Sequence, residues 1–238
     1  MNSNQLSKRL EIVASFIQPA DSFADIGSDH AYLPCYAVKK GIVSRAVAGE
    51  VVDGPFKSAK RQVASEGLSK HIDVRKGNGL AVLEPGEVEC VTIAGMGGPL
   101  IASILEDGVD KLQGVTKLVL QPNIASHSVR TWLDSNGWMI DDEAILEEDG
   151  QLYEVISAIS GLKGRLTEQE IYFGPILIDN QNDAFRLKWQ RELEQIEQVL
   201  KQLSEAKDSE SAARKKEEML KKKQWIKDVL EIENTERS

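Results

Sequence analysis

The chain has 238 residues, 41% of them hydrophobic and 28% charged, enough for one large domain and a smaller appendage. Its net charge of −9 excludes a protein that grips nucleic acid by bulk positive charge, but not local basic patches, because screening confines distant charges to about 8–10 Å. Two cysteines, Cys35 and Cys90, make neither a disulfide framework nor a metal-ligand spacing, no apolar run approaches the roughly 20 residues that cross a bilayer, and the polar start is not a signal peptide, so we expect a cytoplasmic protein with no metal and no membrane partner.

Leu6, Leu10, Val13 and Ile17 share one face of an opening helix over residues 4–16, closed before Pro19. Strand-like runs at 22–26, 45–51, 72–76, 90–94 and 118–121 then alternate with helical patterns at 32–40, 55–66, 99–106 and 125–136. Such alternation implies an α/β fold, a parallel sheet wrapped by helices. After Gly137 the alternation stops. Two strand-like stretches, 138–147 and 153–160, are joined through Glu148-Asp149-Gly150-Gln151, whose Asp-Gly pair signals a turn, so an antiparallel pair brings the sheet to seven strands.

The composition changes at Gly161, and residues 161–164 read as a linker. Trp189, Leu193, Ile196, Leu200 and Leu203 then follow a heptad rhythm, residues 204–211 break it, and Met219, Ile226, Val229 and Leu230 resume it on a second helix. We therefore expect a C-terminal antiparallel helical hairpin, coiled-coil-like, with one domain over 1–160 and the hairpin over 161–238.

Three glycine-bearing loops follow strand ends, the edge where open parallel sheets bind ligands. The first is Ala24-Asp25-Ile26-Gly27-Ser28-Asp29-His30-Ala31-Tyr32-Leu33-Pro34, the second Gly77-Asn78-Gly79-Leu80, and the third Ala94-Gly95-Met96-Gly97-Gly98. A strand, a tight glycine turn and a helix start grip nucleotide-like cofactors through close backbone approach. NAD and S-adenosylmethionine compete for such a turn. The dinucleotide pattern wants three glycines, whereas here only Gly27 is present and Asp29 would face a pyrophosphate with like charge. Carboxylates suit the sulfonium and ammonium of S-adenosylmethionine instead. Glu50, about 20 residues past the turn, has the spacing of an acid that accepts ribose hydroxyls.

The string Asp25-Ile26-Gly27-Ser28-Asp29-His30-Ala31-Tyr32-Leu33-Pro34, with Gly49-Glu50-Val51, Gly77-Asn78-Gly79-Leu80, Ile93-Ala94-Gly95-Met96-Gly97-Gly98 and Gln121-Pro122-Asn123, resembles the bacterial TrmK-like tRNA (adenine-N1)-methyltransferases, over the whole chain. The resemblance implies a Rossmann-like class I methyltransferase sheet, S-adenosylmethionine as cofactor, tRNA as partner and methylation of N1 of adenine 22. The Asn/Asp-Pro-Pro-aromatic signature of base amino-methyltransferases is absent after strand four, so exocyclic amino methylation is not supported.

Arg9, Asp25, Gly27, Ser28, Glu50, Val51, Asn78, Gly79, Ala94 and Gly95 are the expected cofactor residues, Arg9 through the methionine carboxylate and Asn78 through an adenine edge. Asp29 is expected to stabilise the cation that forms on the base or to take a proton from it, His30 to orient cofactor or base, and Tyr32 to stack on adenine. Gly97, Gly98 and Asn123 are expected on the substrate side, with Lys39, Lys40 and Arg61 on tRNA phosphates. A monomer is expected. Methylation of another RNA or a small molecule, and a non-catalytic S-adenosylmethionine-binding module, are the alternatives.

Overall fold

The structure, a computed structural model, describes residues 5–17, 20–161, 165–205 and 210–236. Their elements run α1 (Lys8–Phe16), β1 (Ala20–Ile26), α2 (Tyr32–Lys39), β2 (Val43–Glu50), α3 (Asp53–Ser65), β3 (Ile72–Lys76), β4 (Cys90–Gly97), α4 (Gly98–Asp107), β5 (Lys117–Ile124), α5 (Ser126–Ser135), β6 (Trp138–Glu148) and β7 (Gln151–Ser160), then α6 (Glu168–Phe173), α7 (Leu177–Asn180), α8 (Asp183–Glu205) and α9 (Glu210–Glu236). One seven-stranded sheet has the order β3-β2-β1-β4-β5-β7-β6. Strands β1 to β5 are parallel, and β7 runs antiparallel to both neighbours. The order reverses between β1 and β4, and ligands of open α/β sheets bind outside the carboxyl ends of strands at such a switch point.

Burial explains why these elements hold together. Leu10 and Val13 of α1, Leu33 and Ala37 of α2, and Ala59 and Val63 of α3 bury against Phe23, Ala46, Ala48, Val74 and Val119 of the sheet. Helices α4 and α5 bury Ile101, Leu105, Val129 and Leu133. The β6–β7 connection is the expected Asp-Gly turn. Asp149 and Gly150 have φ of 52° and 77°, the positive pair that a type I′ hairpin requires.

Helix α1 begins at Lys8 rather than at residue 4. The Ser7 hydroxyl accepts from the Leu10 N–H at 3.4 Å, and the Glu148 carboxylate, from the far end of β6, accepts from the Lys8 N–H at 2.6 Å. These partners satisfy donors that a helix start leaves open. Residue 4 of the expected helix lies outside the described residues, as do residues 162–164 of the expected linker and residues 206–209 of the expected break at 204–211.

The chain divides into two compact units, Met1–Pro175 and Ile176–Ser238. The expected division at 160/161 falls 15 residues earlier, and a buried charge cluster accounts for the difference. Arg130, fully buried on α5, donates to Glu143 of β6 and Glu154 of β7, each at 2.7 Å, and to the Ile171 carbonyl of α6 at 3.5 Å. A Cβ on Gly174 would lie 2.7 Å from both the Arg130 Nη2 and the Glu143 Oε2, so only glycine brings the chain this close. Residues 168–174 are thereby tied to the sheet. In the second unit, α8 and α9 bury Phe185, Trp189, Ile196, Ile226 and Val229, and Lys223 pairs with Glu197 across the two helices at 2.7 Å.

Candidate active site

The glycine turn after β1 is bound to the end of β2. The Gly27 and Ser28 N–H groups donate to the Gly49 carbonyl at 2.9 and 3.2 Å, and the Asp29 N–H donates to the Glu50 carboxylate. Gly27 has φ of +72°, and a Cβ there would overlap the terminal methyl of Met96, so the third glycine loop packs directly on the first. Asp29 and Ala31 also have positive φ, 50° and 55°. Ala31 caps α2 with no side-chain hydrogen bond, so Asp29 is not the helix cap. Its carboxylate, 65% exposed, meets the His30 Nδ1 at 3.0 Å, and the His30 and Tyr32 rings stack with centroids 5.2 Å apart.

Asp25 points inward from the same turn. Its carboxylate accepts from the Ser28 hydroxyl at 2.6 Å and from the Thr92 hydroxyl of β4 at 2.7 Å. Burial pushes its pKa up, with the two hydroxyls pulling against that rise. Burial also raises the Glu50 pKa, opposed by the Asp29 N–H and assisted by the negative charges of Asp29 and Asp25.

A second knot forms around Gln121, fully buried at the end of β5. Its carbonyl oxygen accepts from the Arg9 guanidinium and from the Gly95 N–H at 3.0 Å, and its amide nitrogen donates to the Asn123 Oδ1 at 3.1 Å. Asn123 in turn donates to the Gly95 carbonyl at 2.9 Å. Arg9 lies over the Tyr153 ring, 5.2 Å from its centroid. Between the two knots is a cavity of about 270 Å³, lined by Arg9, Leu10, Asp25, Gly27, Ser28, Asp29, Tyr32, Leu33, Ala94, Gly95 and Met96. It sits at the carboxyl ends of β1 and β4, where the strand order reverses.

Most of the expected cofactor and catalytic residues therefore gather at one edge. Asn78 and Gly79 line a different hollow of about 260 Å³, with Leu100, Ile104 and Asp107. Val51 follows β2 and is 55% exposed. Gly97 ends β4, and Gly98 is buried, where a Cβ would overlap the Ala125 carbonyl oxygen. The glycine at 98 is thus demanded by packing. Lys39 and Lys40 are not brought to this edge. A helix that leaves the carboxyl end of a parallel strand ends at the opposite edge, and there Lys39 pairs with Glu66 at 2.8 Å while Lys40 lies over the Tyr36 ring. Arg61, on α3, donates to the Ser58 hydroxyl at 3.1 Å. Among the described residues no cluster of three His, Cys, Asp or Glu could hold a metal ion, and no helix is long and apolar enough to cross a membrane.

Sequence reasoning missed Gln121, Thr92, Met96 and Tyr153 as parts of the site. The signal for the first two was a polar residue within an apolar run, Thr92 inside Cys90–Ala94 and Gln121 after Leu118-Val119-Leu120.

A seven-stranded sheet of this order, with an acid-bearing glycine turn at its switch point, is the Rossmann-like architecture of class I S-adenosylmethionine-dependent methyltransferases. A profile of one family within that class, TrmK, tRNA (adenine(22)-N(1))-methyltransferase, matches residues 23–228, and the chain belongs to this family. The tRNA (adenine(22)-N(1))-methyltransferase of Bacillus subtilis (strain 168) is 47% identical over 236 residues, 97% of this chain and 99% of that protein. The crystal structure of the B. subtilis M1A22 tRNA methyltransferase TrmK matches with a TM-score of 0.90, covering 94% of this chain and 98% of that one. A candidate tRNA (m1A22) methyltransferase of Streptococcus pneumoniae in complex with S-adenosyl-L-methionine matches at 42% identity and a TM-score of 0.86, covering 95% and 100% of the two chains. Mycoplasma capricolum TrmK in complex with S-adenosyl-homocysteine matches at 28% identity and a TM-score of 0.82, covering 94% and 98%.

Proposed function

We propose that this chain transfers a methyl group from S-adenosylmethionine to N1 of adenine 22 in tRNA. The observation that carries this reading is the fused turn at the switch point, where Asp25, Asp29 and Glu50 place three carboxylates around a glycine backbone. That surplus of negative charge suits a cationic donor and disfavours a pyrophosphate. S-adenosylmethionine, when bound, supplies a methyl group on a positively charged sulfur.

The residues of this chain do the rest. Gly27, Ser28, Ala94 and Gly95 offer backbone at the cavity wall, and Glu50 is the acceptor for ribose hydroxyls. Arg9, held by Gln121 and by the Tyr153 ring, is the single guanidinium lining the cavity among the described residues and the partner for a carboxylate. Adenine N1 has an in-plane lone pair, so positioning and exclusion of water carry much of the acceleration. Methylation leaves a positive charge on the base, and the exposed Asp29 carboxylate is the group poised to stabilise it or to take a proton from the exocyclic amine. His30 orients Asp29 through its Nδ1, and the His30–Tyr32 stack offers a flat face to the incoming base. Asn123, bound to Gly95 next to the cavity, contacts the adenine edge.

The first unit carries this chemistry, and the helical unit docks the body of the tRNA by shape. Several cations of the hairpin face acids of their own, Arg214 with Glu210 and Lys222 with Glu218, which favours recognition of folded RNA over a uniform electrostatic grip. A cytoplasmic monomer fits this role, tRNA being a cytoplasmic substrate.

Incubation with unmodified tRNA and labelled S-adenosylmethionine, followed by nucleoside analysis, tests the reading. Label in 1-methyladenosine at position 22 is expected, and label elsewhere or none overturns it. Glu50→Gln is expected to raise the dissociation constant of S-adenosylmethionine by about 10- to 100-fold, since hydrogen bonds to a charged group contribute roughly 1.5–3 kcal/mol. An unchanged constant by calorimetry would remove Glu50 from the ribose contact.

A further inference from the structure

Single exposed aliphatic residues are ordinary on protein surfaces, but their distribution here is uneven. Of the six large hydrophobic residues that stand exposed among the described residues, Val51, Val52 and Leu100 lie just beyond the carboxyl ends of β2 and β4, and Ile124 is the last residue of β5. Ile124 is the most exposed of them at 70%. It follows Asn123, whose amide holds the Gly95 carbonyl at the cavity wall.

Ile124 stands out because its backbone cannot withdraw. A register irregularity between β4 and β5 pairs it with Gly97. The neighbouring Gly98 is buried, and a Cβ there would overlap the Ala125 carbonyl oxygen and lie 3.0 Å from the Ile124 carbonyl oxygen. Ala125 itself is held at φ of +55°, a conformation that non-glycine residues rarely adopt. Two chain segments in direct contact, with a left-handed residue at the corner, thus hold a stiff β-branched side chain in solvent beside the crevice. Held there, Ile124 loses water-exposed apolar surface only when a partner covers it.

The target chemistry identifies that partner. N1 lies on the pairing edge of adenine, so a paired target must leave its stack before methyl transfer, exposing the faces of the bases it leaves behind. Proteins that open nucleic-acid stacks insert Phe, Leu, Ile, Met or Pro at the gap. We propose that Ile124 is this wedge: it enters the tRNA stack beside the extruded adenine and covers the base faces left open. The proposal rests on the adenine-N1 reading above and makes Ile124 a positioning residue for the substrate.

The test uses the full chain and two tRNAs, one in which adenine 22 is paired and one in which the opposite nucleotide is abasic, so that extrusion needs no unpairing. Ile124→Ala is expected to lower kcat/KM on the paired tRNA by about tenfold or more, the equivalent of burying two or three methylene groups. On the abasic-partner tRNA it is expected to lower kcat/KM by less than about threefold. Ile124→Leu is expected to restore transfer to the paired tRNA. The dissociation constant of S-adenosylmethionine and the melting temperature should stay at wild-type values. Equal losses of Ile124→Ala on both tRNAs, or no loss on the paired one, would overturn the wedge while leaving the methyl-transfer reading intact. If the wild-type chain methylates adenine 22 of neither tRNA, the reading itself fails and the wedge with it.

Discussion

Replacing Asp29 by Asn should lower kcat for methyl transfer by about 100-fold or more while leaving S-adenosylmethionine binding within about threefold. Asparagine is the informative variant because residue 29 has φ of 50°, a conformation that Asn and Asp tolerate and that costs most other residues about 1–2 kcal/mol. The Asp29→Asn chain keeps the backbone N–H that Glu50 accepts, so the cofactor turn stays closed. What it loses is the negative charge, 65% exposed and beside His30, at the rim where the base must arrive. An Asp29→Ala variant confounds lost charge with backbone strain, and its cofactor affinity should drop further than that of the Asn variant. Single-turnover transfer with saturating tRNA separates chemistry from binding. Wild-type turnover of Asp29→Asn would show that the charge takes no part in the reaction.

The second large effect is on stability. Arg130→Ala is expected to destabilise the first unit by about 3–5 kcal/mol, because it strands two buried carboxylates without their cation. Both side chains of the Arg130–Glu143 pair are inaccessible to water, and Glu154 is 3% exposed, so no solvent can take over the vacated role. The cluster joins α5, β6, β7 and the carbonyl of Ile171, so the loss should spread to α6. Replacing Arg130, Glu143 and Glu154 together by apolar residues of similar volume is expected to recover most of the loss, since a buried ion cluster stabilises little beyond what good packing would. Urea unfolding of the three proteins decides the matter: a loss below about 1 kcal/mol for Arg130→Ala would mean that water or rearrangement rescues the carboxylates.

The sheet was legible because its signals are local. Apolar runs of strand length between helical patterns, and an Asp-Gly pair at 149–150, are statements about neighbouring residues, and they placed all seven strands and the antiparallel pairing of the last two. The cofactor turn was legible for the same reason, since Gly27, Ser28 and Asp29 are contiguous. The groups that hold the site rigid were not, because they come from distant positions. Gln121 meets Arg9 across 112 residues, and Thr92 meets Asp25 across 67. Lys39 and Lys40, expected on tRNA phosphates, could not be placed relative to the turn from the sequence alone, because the length of α2 sets how far from it they lie. Helix α6 was unread although its capping box, Thr167 with Glu170, is printed in the sequence, because Gly161 and Gly164 suggested a linker.

One contact bears on how the protein is made. The carboxylate that closes the amino end of α1 belongs to Glu148, 140 positions downstream of Lys8. During synthesis α1 leaves the ribosome before the sheet does, yet its clamp emerges only after five parallel strands have been threaded out. Arg9 can meet Gln121 once β5 has been made, but it waits for the hairpin before the Tyr153 ring and the Glu148 carboxylate reach it. A nascent chain halted before Trp138 would carry the cofactor turn and Gln121 but neither Glu148 nor Tyr153, so the last strand pair of the sheet completes the setting of Arg9.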